Sequence, residues 1–204
     1  MKAKIVGLMA VGLLAAPAAY SADITYSVDE TIGLAGSVVG TVETDGTTGV
    51  LAAANLLDWN LVLNIGGSTG STFTLFGPLS GNNSQVVVGA GGNFTATATD
   101  LLFNFSGAAD LVDFQNPGVA SGMNAWCLDA QVGACSPVTG KAFLPSPGEF
   151  VLTSTNTITQ GNNVLSGDRV IGTVIGASVP EPATLSLLSL GLAALGFMRR
   201  RRAN

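Results

Sequence analysis

The chain has 204 residues, 47% hydrophobic and only 10% charged, with a formal net charge of −5 and no histidine. That length holds one ordinary domain once two apolar ends are set aside, and the charge content falls far below the usual value of about a quarter. Without histidine the commonest general base and the commonest metal ligand are both missing, which shortens the list of plausible enzymes without forbidding carboxylate, Lys or Ser chemistry; no cofactor is expected.

The charges are sorted along the sequence. Between the ends stand only two cations, Lys141 and Arg169, against about a dozen carboxylates from Asp23 to Asp168. So acidic a middle repels phosphate backbones, which argues against nucleic acid as a partner.

At the N-terminus Lys2 and Lys4 precede an apolar run from Ile5 to Ala16, and small residues follow at Ala18, Ala19, Ser21 and Ala22. This is the three-part layout of a secretory signal peptide, with cleavage expected near Ser21 or Ala22. The apolar run is too short for a permanent span. Residues 1–22 are therefore expected to be removed on export.

From residue 23 to 177 no sustained helical period appears, and short alternating runs dominate. The predicted strands are Ile24–Val28, Ser37–Val42, Trp59–Ile65, Thr72–Phe76, Gln85–Val88, Phe94–Thr99, Leu101–Phe105, Ala125–Leu128, Glu149–Leu152 and Val170–Ile175. Turn residues such as Asp45-Gly46, Gly81-Asn82-Asn83 and Gly167-Asp168 separate them. An Ala-rich run between Gly49 and Leu57 reads as a helical turn. Many short strands at close spacing predict an all-β body, an antiparallel sandwich or jelly-roll-like fold.

Cys127 and Cys135 are the only cysteines. In an exported chain an even count favours a disulfide. A catalytic thiol would lack a histidine partner, and two sulfurs are too few for a metal site. Asp110, Asp113 and Asp129, and separately Asp23, Asp29 and Glu30, are candidate calcium ligands because hard oxygens suit that ion. None has the spacing of a regular calcium loop, and solvated loop carboxylates are the plainer reading. Trp59 beside Asp58, or Trp126 beside Cys127, offers either a sugar-stacking surface or a core residue. A polysaccharide hydrolase would need two facing carboxylates with an aromatic wall.

The last stretch has three parts: Val179-Pro180-Glu181-Pro182, an apolar run from Ala183 to Met198, and Arg199, Arg200, Arg201 and Arg202. About 16 residues of helix span roughly 24 Å, short for a hydrocarbon core of about 30 Å. Arginines snorkel to the headgroups and hold their end in the cytoplasm. The two prolines flank Glu181 with fixed φ and no N–H, so this segment stays extended outside the membrane.

In order and position these parts resemble the PEP-CTERM sorting signal of Gram-negative bacteria that secrete exopolysaccharide. The resemblance covers about the last 25 residues. It implies recognition of Pro180, Glu181 and Pro182 by an exosortase, an integral-membrane cysteine protease or transpeptidase. The expected organisation is a signal peptide (1–22), a β-sandwich body (23–177) and a sorting signal with one C-terminal transmembrane helix (178–204). The expected function is a non-enzymatic cell-surface or exopolysaccharide-matrix protein, with a secreted carboxylate-based hydrolase acting on polysaccharide as the alternative. Its expected partners are the exosortase, the inner membrane before processing, and exopolysaccharide.

Overall fold

A computed structural model describes residues 22–65, 72–116, 124–131, 135, 147–153, 156–159 and 165–177. In chain order the elements are β1 (Ile24–Ile32), β2 (Gly36–Thr44), β3 (Gly49–Val50), a 3₁₀ turn (Ala53–Asn55), β4 (Leu56–Asn64), β5 (Thr72–Phe76) and β6 (Gln85–Val88). They continue with β7 (Phe94–Ala96), β8 (Asp100–Asn104), β9 (Leu111–Asn116), β10 (Asn124–Asp129), β11 (Gly148–Thr153), β12 (Asn156–Thr159) and β13 (Asp168–Ala177). The described chain is all-β, and its strand pairings are antiparallel.

Eight strands form one sheet in the order β3-β7-β8-β13-β1-β2-β4-β5, and five form another in the order β12-β11-β10-β9-β6. Alternation decides the facing of each strand. Tyr26 and Val28 of β1, Val38 and Val42 of β2, and Leu61 and Leu63 of β4 point from the large sheet into one shared core. Val112, Phe114, Trp126, Leu128 and Val151 enter it from the small sheet. Fully burying each such side chain contributes roughly 1.5–3 kcal/mol.

Three aromatic rings bridge the sheets. Trp59 meets Phe114 edge-on with centroids 5.5 Å apart, and Phe114 stacks on Trp126 at 5.5 Å. The Trp59 indole N–H donates to Ser84 Oγ at 2.7 Å, so its polar edge is satisfied inside the core. The opposite face of the small sheet carries its own apolar cluster of Ala125, Cys127, Cys135, Phe150 and Leu152. Cys127 and Cys135 form a disulfide with Cα atoms 6.3 Å apart.

Several local expectations are revised. The threonine run Phe94–Thr99 is a strand only through Ala96. Thr97 Oγ1 accepts the backbone N–H groups of Thr99 at 3.1 Å and Asp100 at 2.8 Å, and this turns the chain into β8. The helical turn expected between Gly49 and Leu57 shrinks to the 3₁₀ residues Ala53–Asn55, flanked by β3 and β4. β9 and β12 lie outside the predicted strands, although Val112-Asp113-Phe114-Gln115 in β9 alternates apolar with polar residues.

Outer positions of the large sheet are mostly hydroxyl and amide residues. Thr173, Ser27, Thr41 and Asn60 form one continuous cross-strand row. The β5 edge is closed by Asn83: its Oδ1 accepts the Phe76 N–H at 2.7 Å and its Nδ2 donates to the Thr74 carbonyl at 2.9 Å. Occupying these backbone groups blunts an otherwise open strand edge.

Candidate functional site

Period-2 alternation along β1 places Glu30 on the same face as Ile24, Tyr26, Val28 and Ile32, all core residues. On β11 the same rule aims Glu149 inward beside Val151, opposite Leu128 of β10. Two carboxyl groups thus enter the space between the sheets from opposite sides. Arg169 lies across from Phe103 in the β13–β8 ladder and keeps an exposed guanidinium at the rim. Phe105, Leu165, Val170 and Ile171 complete a cleft of about 60 Å³ around the three charged side chains.

Glu149 is 2% exposed, and its Oε1 accepts the indole N–H of Trp126 at 2.6 Å. Burial pushes its carboxyl up to about 8, the neighbouring Glu30 charge adds to the rise, and the Trp126 hydrogen bond and Arg169 oppose it. Burial also raises Glu30, the adjacent Asp29 adds to this, and Arg169 pulls it down. Burial thus favours the neutral form of both carboxyls, that of Glu149 most strongly.

The surroundings do not suit a sugar substrate. A cleft of about 60 Å³ admits a few waters and no pyranose ring. Tyr26 and Trp126 are fully buried and Trp59 is 3% exposed, so none of the three offers a ring face to a polysaccharide. Among the described residues, this inter-sheet pocket is a small polar cleft lined by Glu30, Glu149 and Arg169.

The aspartates singled out from the sequence separate into different tasks. Asp110 Oδ2 accepts the Asn93 N–H at 2.8 Å and its Oδ1 the Leu111 N–H at 2.9 Å, tying the loop before β7 to the start of β9. Asp129 Oδ1 accepts from the Gln131 N–H at 2.9 Å and Oδ2 from the Cys135 N–H at 3.2 Å, closing the disulfide loop. Asp113 points to the outer face of the small sheet and is fully buried. Near the N-terminus Asp23 and Asp29 are exposed while Glu30 turns inward. Among the described residues no three His, Cys, Asp or Glu side chains converge as a metal site.

Sequence reading passed over the pairing of Glu30 with Glu149. Their separation in the chain hides it, but the signal was present: each is a charged residue at an inward position of an apolar alternation.

The sorting residues Pro180, Glu181, Pro182 and Arg199 to Arg202, the expected C-terminal helix and residues 1–21 of the expected signal peptide lie outside the described residues. Among the described residues no helix is long and apolar enough to cross a membrane. What the described body does show is its junction with the tail: β13 runs to Ala177, one residue before position 178.

An exported chain of this kind is defined by its tail, and there the comparison is direct. The family model of the PEP-CTERM protein-sorting motif matches residues 178–202. The chain is a PEP-CTERM domain-containing protein, and the motif marks it as an exported protein processed by an exosortase. Comparison with the curated proteins found no match, and neither did comparison with solved structures.

Proposed function

We propose that the chain is a non-enzymatic component of the cell surface or of the exopolysaccharide matrix. It leaves the cytoplasm by its N-terminal signal and waits in the inner membrane with Arg199 to Arg202 inside. The exosortase then grips Pro180-Glu181-Pro182 and frees or transfers the β body. The observation that carries this reading is the PEP-CTERM motif abutting the last strand of the body. The hydroxyl and amide rows of the large sheet favour contact with a hydrated neutral polymer over contact with apolar surfaces. The small volume of the Glu30–Glu149 cleft favours a coat or matrix role over hydrolysis.

The test is to express the chain with and without an exosortase and to determine the C-terminus of the exported form by mass spectrometry. The expected product in its presence ends near Pro180-Glu181-Pro182. A product ending at Asn204 under both conditions would refute the processing step, and a glycan array would separate a polysaccharide-binding body from an inert coat.

A further inference from the structure

Asp113 and Gln115 stand two residues apart on one face of β9, the face turned away from the shared core. Both are buried, at 0% and 4% exposure. Both oxygens of the Asp113 carboxylate and the amide oxygen of Gln115 lack a hydrogen-bond donor. Among the described residues nothing positive meets these three acceptor oxygens. A buried acceptor without a partner costs about 1–3 kcal/mol, and more for a charged group. Native interiors keep few such groups. A fold that places two of them at i and i+2 of one strand calls for a common positive partner.

The chemistry around them narrows its nature. Asp113 pairs across the ladders with Cys127 on one side and Val87 on the other. Cys127 is bound to Cys135, so no thiolate is on offer. The available donors are a carboxylate and an amide oxygen, hard ligands that suit calcium-class ions rather than zinc or copper. Calcium also tolerates irregular coordination, which a bidentate carboxylate and one amide oxygen begin but do not complete. We propose that the Asp113 carboxylate and the Gln115 amide oxygen form part of a calcium-binding site on the outer face of the small sheet, where the ion braces β9 behind the disulfide-bonded strand β10.

The test uses the exported, oxidised protein. Its metal content is measured by mass spectrometry after desalting, and its thermal unfolding is followed in calcium chloride, magnesium chloride and EGTA. One calcium per chain is expected, with a rise in Tm of about 5 °C from EGTA to saturating calcium. Asp113→Asn should abolish that rise, and Gln115→Leu should weaken calcium binding about tenfold. If Asp113→Asn does not fold, the Gln115→Leu comparison still decides. Equal Tm in calcium and EGTA overturns the site, as does a calcium response that survives Asp113→Asn or is untouched by Gln115→Leu. A Lys141→Met variant in EGTA supplies the remaining arm. If its loss of stability disappears in the Asp113→Asn background, an ammonium of the chain itself is the positive partner and the calcium site falls.

Discussion

Ile24 and Ala177 are register partners in the β1–β13 ladder, so the first and last strands of the described body lie side by side. β13 also pairs with β8, which makes the segment that leads into the sorting motif a central strand of the eight-stranded sheet. A chain ending at Ala177 therefore keeps every described strand pairing, whereas one ending at Ser166 loses both ladders of β13. Without β13 the sheet separates into β3-β7-β8 and β1-β2-β4-β5. The first truncation should unfold as cooperatively as the whole body in a thermal melt. The second should be protease-sensitive and lack a cooperative transition.

The Trp126–Glu149 hydrogen bond lies inside the core, and the burial of Glu149 gives the fold an unusual pH dependence. The carboxyl rises from 4.5 to about 8 on folding, so over that interval the folded state binds more protons than the unfolded one. Asp113 adds a second interval from 3.8 to about 7, again through burial. Stability is greatest at and below the unfolded values and falls as pH rises through the folded ones. Each group lowers the folding equilibrium constant by up to about tenfold per pH unit inside its interval. Denaturant melts in EGTA should show a decline from pH 4.5 to 8, and Glu149→Gln should flatten its upper part. A profile that climbs toward pH 8 would contradict the assignment.

Much of this fold is legible in the sequence because alternation and turn chemistry agree along most of it. Trp59, Leu61 and Leu63 announce the inward face of β4, and Tyr26 and Val28 that of β1. In β9 the alternation of Val112 and Phe114 with Asp113 and Gln115 carries an ordinary strand signal, and what it hides is burial: the polar side that alternation assigns to solvent is covered as well. The Glu30–Glu149 pocket was hidden for a related reason, since proximity between strands of two sheets leaves no local spacing to detect. Cys127 and Cys135 were readable as a pair because eight residues and an exported context leave little else for them to do.

Gly40 marks a contact that no side chain can enter. It stands in β2 with φ of 155°, and a Cβ built there would lie 1.8 Å from the carbonyl oxygen of Asn60 in β4. Backbone on a neighbouring strand cannot swing aside as a side-chain tip does. Gly40→Ala should therefore destabilise the body by about 2–4 kcal/mol, through displacement of the β2–β4 ladder. Denaturant unfolding should show a lower midpoint. A midpoint within experimental error of the parent would mean that β2 and β4 are not held at this separation.

The Cys127–Cys135 bond closes a loop that Asp129 already organises from within by accepting the backbone N–H groups of Gln131 and Cys135. The chain-entropy relation gives about 2.5 kcal/mol for so short a loop. The carboxylate in part pre-orders the loop, so reduction should cost somewhat less than this in the parent and more in an Asp129→Ala background. The paired variant Cys127→Ser/Cys135→Ser should lower Tm by about 5–10 °C. Because both sulfurs are fully buried, the folded protein should resist dithiothreitol until it unfolds. Thiol titration during a melt distinguishes this from a labile bond. Thiols should appear together with unfolding, and their release well below the transition would show that the disulfide is a surface staple rather than part of the second apolar cluster.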